Sequence, residues 1–228
     1  MEYRILGQTV PVVEFKINRG ESVYTQSGAM AYQSGFVDMQ ANARGGAMKS
    51  LGRIFSGESL FMVNYTSMAD DQIIAFAATV PGGIVPIDMT ANPAGLILQK
   101  GSFLCAQQTV NTQVELVKRL AAGFFGGEGF VLQRAYGTGL LFLEIDGDYI
   151  EKQLAPGEVL KVNTGNVVAF EPSVSYEIET VKGLKNIFFG GEGLFLTRLI
   201  GPGKVILQSQ NFASFASRVA RFIPTSNN

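Results

Sequence analysis

A block of 24 residues occurs twice in this chain, 64 positions apart, and it limits the fold more tightly than any other feature. Residues 124–147 can be laid on residues 188–211 without a gap, and 11 of the 24 positions are identical. Both copies begin Phe-Phe-Gly-Gly-Glu-Gly, with Gly127 and Glu128 in the first and Gly191 and Glu192 in the second. Each then runs through an apolar stretch to an arginine, Arg134 or Arg198. A looser third copy reads Ile54-Phe55-Ser56-Gly57-Glu58-Ser59-Leu60-Phe61-Met62. Repetition of this kind means one supersecondary unit used several times.

The unit is built of strands. Val174-Ser175-Tyr176-Glu177-Ile178-Glu179 alternates apolar and polar residues, the pattern of a sheet with one wet face. Residues 140–145 lead through Asp146-Gly147 into residues 149–154, and Asp-Gly between two apolar runs predicts a tight hairpin. Pro81-Gly82 and Pro156-Gly157 predict turns into the apolar runs 84–87 and 159–162. Short strands punctuated by Gly and Pro argue for an all-β sandwich or barrel. A second echo relates Gly20-Glu21 and Gly28 to Gly157-Glu158 and Gly165. These repeats predict a single compact unit of two similar β halves, about residues 1–110 and 124–228. Two short helices are expected. Residues 113–122 carry Val114, Val117, Leu120 and Ala121 at helical spacing, and Gly123 follows as a stop. Near the C-terminus Phe212, Phe215, Ala216, Val219 and Phe222 form an apolar stripe with Arg218 and Arg221 off it. That helix is expected to cover an open sheet end or a neighbouring subunit.

Composition narrows the chemistry. The chain has no histidine, which removes Ser-His-Asp and Cys-His catalysis and the usual ligands of zinc, iron and copper sites. Its single cysteine, Cys105, makes no internal disulfide and sits among apolar residues, so it reads as a small buried hydrophobe. Only 16% of residues are charged, which leaves apolar faces to meet other subunits. A net charge of −1 gives no reason to expect nucleic-acid binding. No signal peptide or run of eighteen apolar residues is evident, and a cytoplasmic protein is expected.

Glycines before a strand provide a tight turn, and period two places Glu128, Phe130, Leu132 and Arg134 on one face. The second copy aligns Glu192, Leu194, Leu196 and Arg198 in the same way. Glu and Arg at the two rims are expected to pair with neighbouring strands or backbone amides; the alternative is a ligand site at the repeat boundaries. These glycines lack the lysine and Ser/Thr of a phosphate loop. Upstream of each copy lies a cation-plus-phenylalanine segment, with Lys49 and Arg53, Lys118 and Arg119, then Lys182 and Lys185. They are candidates for one interaction surface facing an acidic partner or anionic lipid. Asp70-Asp71 falls in a loop between strands and Glu144, Asp146 and Asp148 surround the expected hairpin turn; turn chemistry accounts for the aspartates.

Gly20-Glu21-Ser22-Val23-Tyr24, Ser27-Gly28-Ala29-Met30, Gly57-Glu58-Ser59-Leu60-Phe61, Gly101-Ser102-Phe103-Leu104 and Ala169-Phe170-Glu171-Pro172-Ser173-Val174 occur in this order. With the two Phe-Gly-Gly-Glu-Gly blocks they resemble the AIM twenty-four family (altered inheritance of mitochondria) over essentially the whole chain. The resemblance implies a fold similar to the tryptophan RNA-binding attenuation protein, a duplicated β-sandwich or double-stranded β-helix, and a homo-oligomer such as a trimer or ring. Mitochondrial members are associated with inner-membrane organisation, which implies a scaffold without cofactor or catalytic residues. Where the resemblance leads one to expect Asp-Thr-Gly-His, this chain has Asn163-Thr164-Gly165-Asn166, so no role of that histidine transfers. The function expected is a non-catalytic oligomeric scaffold that binds a protein partner or membrane surface. The alternative is a small-ligand- or RNA-binding ring protein.

Overall fold

The computed structural model describes residues 1–26, 28–42, 62–118, 130–180, 195–220 and 222. Among them the chain forms nineteen strands and one α-helix. The strands are β1 (Glu2–Leu6), β2 (Val12–Ile17), β3 (Ser22–Gln26), β4 (Met30–Gln33), β5 (Val37–Asn42), β6 (Met62–Ser67) and β7 (Gln72–Ala77). Next come β8 (Gly82–Asp88), β9 (Leu96–Gln99), β10 (Phe103–Gln107), β11 (Val110–Lys118), β12 (Phe130–Gly137) and β13 (Leu140–Asp146). The last are β14 (Tyr149–Leu154), β15 (Val159–Asn163), β16 (Val167–Phe170), β17 (Ser175–Thr180), β18 (Phe195–Ile200) and β19 (Gly203–Gln208), before α1 (Phe212–Ala220).

The strands assemble into four antiparallel sheets. Sheet 1 has the order β1-β2-β7-β4, sheet 2 β5-β6-β3-β10-β13-β8, sheet 3 β11-β12-β9-β16-β19-β14, and sheet 4 β15-β18-β17. Strands six apart hold the same place: β5-β6-β3 recurs as β11-β12-β9 and β17-β18-β15, while β4-β7-β2 recurs as β10-β13-β8 and β16-β19-β14. A β-bulge marks the same point each time, between Met30 and Tyr32, Phe103 and Cys105, and Val167 and Ala169. The topology therefore repeats three times, where the sequence reading has two halves. The first copy is the most diverged, matching the others in sequence only over residues 54–62 and at Gly20-Glu21 and Gly28.

Each repeat gives half its strands to one sheet and half to the next, so the four sheets stack with three cores between them. Phe15 and Phe76 of sheet 1 pack on Tyr65, Cys105 and Phe142 of sheet 2. Tyr24 and Leu143 of sheet 2 face Leu98 and Ala135 of sheet 3. Leu132 and Phe170 of sheet 3 face Val162 and Leu199 of sheet 4. The inner sheets are apolar on both faces, since successive residues point to opposite sides. The outermost faces are polar. Arg4 and Tyr32 both bond Glu14 on sheet 1, while Lys161–Glu179 and Arg198–Glu177 pair on sheet 4. The exposed pairs on sheet 4 add little stability. They do end the stack, as polar outer faces do in terminal repeats.

Two local expectations fail. The helix expected at residues 113–122 is absent where described: β11 runs through Lys118 and pairs with β12, absorbing one bulge between Val114 and Leu116. The run contains β-branched Val110, Thr112, Val114 and Val117, which favour strands, and β12 offers a full ladder. The hairpin at Asp146-Gly147 does not form. β13 pairs with β10 and β8 in sheet 2, and β14 pairs with β19 in sheet 3. The turn carries the chain between layers, with Gly147 at φ +72°.

Candidate functional site

At one end of sheets 2 and 3, beneath α1, the chain encloses a cleft of about 750 Å³. Its walls come from equivalent positions of different repeats. Gln26 and Gln99 end β3 and β9; Gly101 and Gly165 lie 64 residues apart in the following turns; Glu144 and Gln208 lie 64 apart on β13 and β19. Thr79, Lys100, Asp146, Asn211 and Phe212 complete the rim, and Val131 also lines it.

The two members of the 64-residue pair have different partners. The Gln208 amide is used on both sides: its Nε2 donates to the Gly165 carbonyl at 2.9 Å, and its Oε1 accepts from the Asp146 backbone N–H at 2.9 Å. Glu144 Oε2 accepts from the backbone N–H and the hydroxyl of Thr79, at 2.9 and 3.0 Å. Burial pushes the Glu144 carboxyl above its ordinary value; the two Thr79 bonds oppose that shift and the nearby Asp146 charge adds to it. Burial likewise pushes Asp146 upward, against the Phe212 N–H that donates to its Oδ2 at 2.7 Å. That bond anchors the first turn of α1. Asn211 caps the helix by accepting from Ser214 N–H at 2.8 Å. Asn166 stands where the resemblance leads one to expect histidine. It braces the cleft by donating to the Gln208 carbonyl and accepting from the Asn211 amide, at 2.8 and 3.2 Å.

The helix is oriented unusually. Ala213, Ala216 and Ser217 line the cleft, as does Phe212, yet none of its side chains is buried. The large apolar residues look outward: Phe212 is 54% exposed, Phe215 49%, Val219 43% and Phe222 87%. The stripe expected to cover a sheet end or a neighbouring subunit is thus exposed among the described residues.

Of the residues singled out in the sequence, Arg134 donates to the Ala94 carbonyl at 2.9 Å and Arg198 to Glu177 at 3.1 Å. Phe130 and Leu132 lie in the third core, but Leu196, on the matching face of β18, is only half-buried because no further sheet covers it. Lys118 ends β11. Lys49, Arg53, Gly57, Glu58, Arg119, Gly127, Glu128, Lys182, Lys185, Gly191 and Glu192 lie outside the described residues. The strands that lead to them, β5, β11 and β17, are equivalent in sheets 2, 3 and 4. Of the cleft carboxylates, Asp146 is the one that turn chemistry explains from the sequence, and Glu144 only flanks that turn. The repeat alignment already set Glu144 opposite Gln208, a difference that signals a diverged site. Cys105 is buried, and burial pushes its thiol well up. Among the described residues no helix is long and apolar enough to cross a membrane.

The stacked antiparallel sheets define an all-β protein, and residues 3–210 match the family Mitochondrial biogenesis AIM24, to which the chain belongs. An uncharacterized protein of Streptococcus pyogenes serotype M6 is 30% identical over 226 residues, covering 96% of this chain and 89% of that relative. The crystal structure of a Streptococcus pyogenes protein, solved as a structural-genomics target, superposes with a TM-score of 0.78 at 26% identity. That match covers 97% of this chain and 99% of the other.

Proposed function

We propose that the protein is a non-catalytic, oligomeric β scaffold that binds a partner surface, protein or membrane. The observation that carries this reading is the apolar stripe of α1: Phe215 and Val219, with Phe222 just beyond the helix, are exposed while Ala213 and Ala216 line the cleft. A helix that served only to close its own domain would bury the phenylalanines and expose the alanines. The contiguous apolar stripe is what a docking surface requires. Further support comes from the sequence, in which the three cation-plus-phenylalanine segments follow β5, β11 and β17, equivalent strands of successive sheets.

Mass in solution tests the proposal. The wild type should run as a multimer of the 24.5 kDa chain or co-sediment with anionic vesicles. Phe215→Ser with Phe222→Ser should abolish self-association or partner binding while leaving the melting temperature nearly unchanged, because both side chains are exposed. Lys49→Glu with Lys118→Glu and Lys182→Glu should abolish vesicle binding alone. A wild-type monomer that ignores vesicles, or association untouched by either variant, refutes the reading.

A further inference from the structure

We propose that β15 of one molecule pairs with β4 of a second copy, so that sheet 4 of the first continues head to tail into sheet 1 of the second. This names a contact for the oligomeric reading above and rests on that reading. In sheet 2, β10 pairs with β13 on one side and with β3 of the preceding repeat on the other. In sheet 3, β16 pairs in the same way with β19 and β9. β4 holds the place of β10 and β16 in the first repeat, yet among the described residues it pairs with β7 alone. β15 holds the place of β3 and β9 in the last repeat and pairs with β18 alone. Each strand therefore lacks the neighbour that the other provides.

Burial and composition mark the same two edges. Where both strands of this joint are present it is closed: residues 23–25, 96–98, 103–106 and 167–170 are all buried. Ala31, Tyr32 and Gln33 of β4 are exposed, as are Val159 and Lys161 of β15. A strand edge offers unpaired N–H and C=O groups to an incoming strand, and natural sheets blunt such edges with charge or proline. Every other strand that ends a sheet here carries a charged residue, and β8 has Pro86 as well; Met30-Ala31-Tyr32-Gln33 carries neither. The one charge on β15, Lys161, is already held by Glu179 at 2.9 Å. The repeats also fix the register. Cys105 and Ala106 stand opposite Thr25 and Tyr24, and Ala169 and Phe170 opposite Leu98 and Ile97. The shared β-bulge sets Tyr32 and Gln33 in the places of Cys105 and Ala106, and Val162 and Lys161 lie 64 residues after Leu98 and Ile97. Tyr32 should thus face Val162 of the second copy, and Gln33 its Lys161. The polar face of sheet 4 is no bar. Glu177, Glu179 and Arg198 follow Gln113, Glu115 and Arg134 by 64 residues, and those three are not buried in sheet 3 either.

A contact between two different edges makes a ring or an open fibre rather than a two-fold pair. Disulfide trapping with the full chain tests it, since the native Cys105 is buried. Gln33→Cys and Lys161→Cys are prepared as separate proteins and mixed under mild oxidation. Directly opposed residues stand about 4.5–5.5 Å apart at Cβ, near enough for a disulfide after a small shift. The expected result is a covalent dimer in the mixture and none in either protein alone. Gln33→Lys sets like charges opposite each other at Lys161 and should lower the mass in solution, and adding Lys161→Glu should restore it. Both side chains are exposed, so the melting temperature should hold in each variant. A wild-type multimer that gives no mixed disulfide and keeps its mass in Gln33→Lys overturns the joint and leaves the oligomeric reading standing. A wild-type monomer that still binds anionic vesicles overturns the joint alone, whereas a monomer that ignores them overturns both.

Discussion

Replacing Gln133 with methionine should make the protein more stable. The amide lies in the second core, opposite Leu98 and Val114 in the ladders that flank β12, with no hydrogen-bond partner for either polar atom among the described residues. Leaving a buried donor or acceptor unmet costs ~1–3 kcal/mol, and an apolar replacement of similar shape removes that penalty. Methionine keeps the unbranched stem and adapts to irregular space. Allowing for imperfect packing, the net gain should be about 2 kcal/mol. At about 2–4 °C per kcal/mol for a chain of this size, the melting temperature should rise by roughly 4–8 °C. Urea unfolding and calorimetry measure both quantities, and an unchanged denaturant slope would show that the unfolded state is not responsible. Position 197, 64 residues on, provides a control of opposite sign. Thr197 is equally buried but its hydroxyl lies 3.1 Å from that of Thr164. Thr197→Val should therefore lose about 1 kcal/mol. If Gln133→Met is destabilising, the amide is satisfied in the folded protein, and the argument from it fails.

Two further outcomes follow from the same geometry. A Cβ at Gly82 would fall 1.8 Å from the Ile145 carbonyl oxygen, a backbone atom held in the β8–β13 ladder, so Gly82→Ala should cost at least about 1–3 kcal/mol in urea unfolding. Gly101→Ala, with open space around it, should be nearly neutral. Glu144 has a raised pKa in the folded state, so its contribution to stability is fully present below the ordinary glutamate value and is lost as pH rises through the raised one. Glu144→Gln should accordingly match the wild type in acid and melt higher at neutral pH, as paired melts at the two pH values will show.

The alternation at residues 174–179 was legible because one face of sheet 4 is wet, which writes a period of two into the sequence. The span 113–118 misled because Val114 and Val117 suit a helix as well as a bulged strand, and only the waiting edge of β12 chooses between them. Asp146-Gly147 has the composition of a hairpin turn, yet each flanking strand finds its partner far away in sequence. Glu144 and Asp146 gave no motif because they converge with residues from Gln26 to Ser217 only once sheets 2 and 3 are stacked.

The amino-acid order alone established the β class, the recurring unit and the glycine corners, because alternation, repetition and backbone freedom are local properties that survive in one dimension. It also ruled out histidine chemistry outright. Stacking decided everything that depends on what lies above and below a strand: three repeats in place of two halves, a buried Leu132 in β12 beside a half-exposed Leu196 in β18, and a carboxylate-lined cleft. Burial and proximity are set by chain segments tens of residues apart, and no local pattern encodes which face will meet another sheet and which will meet water.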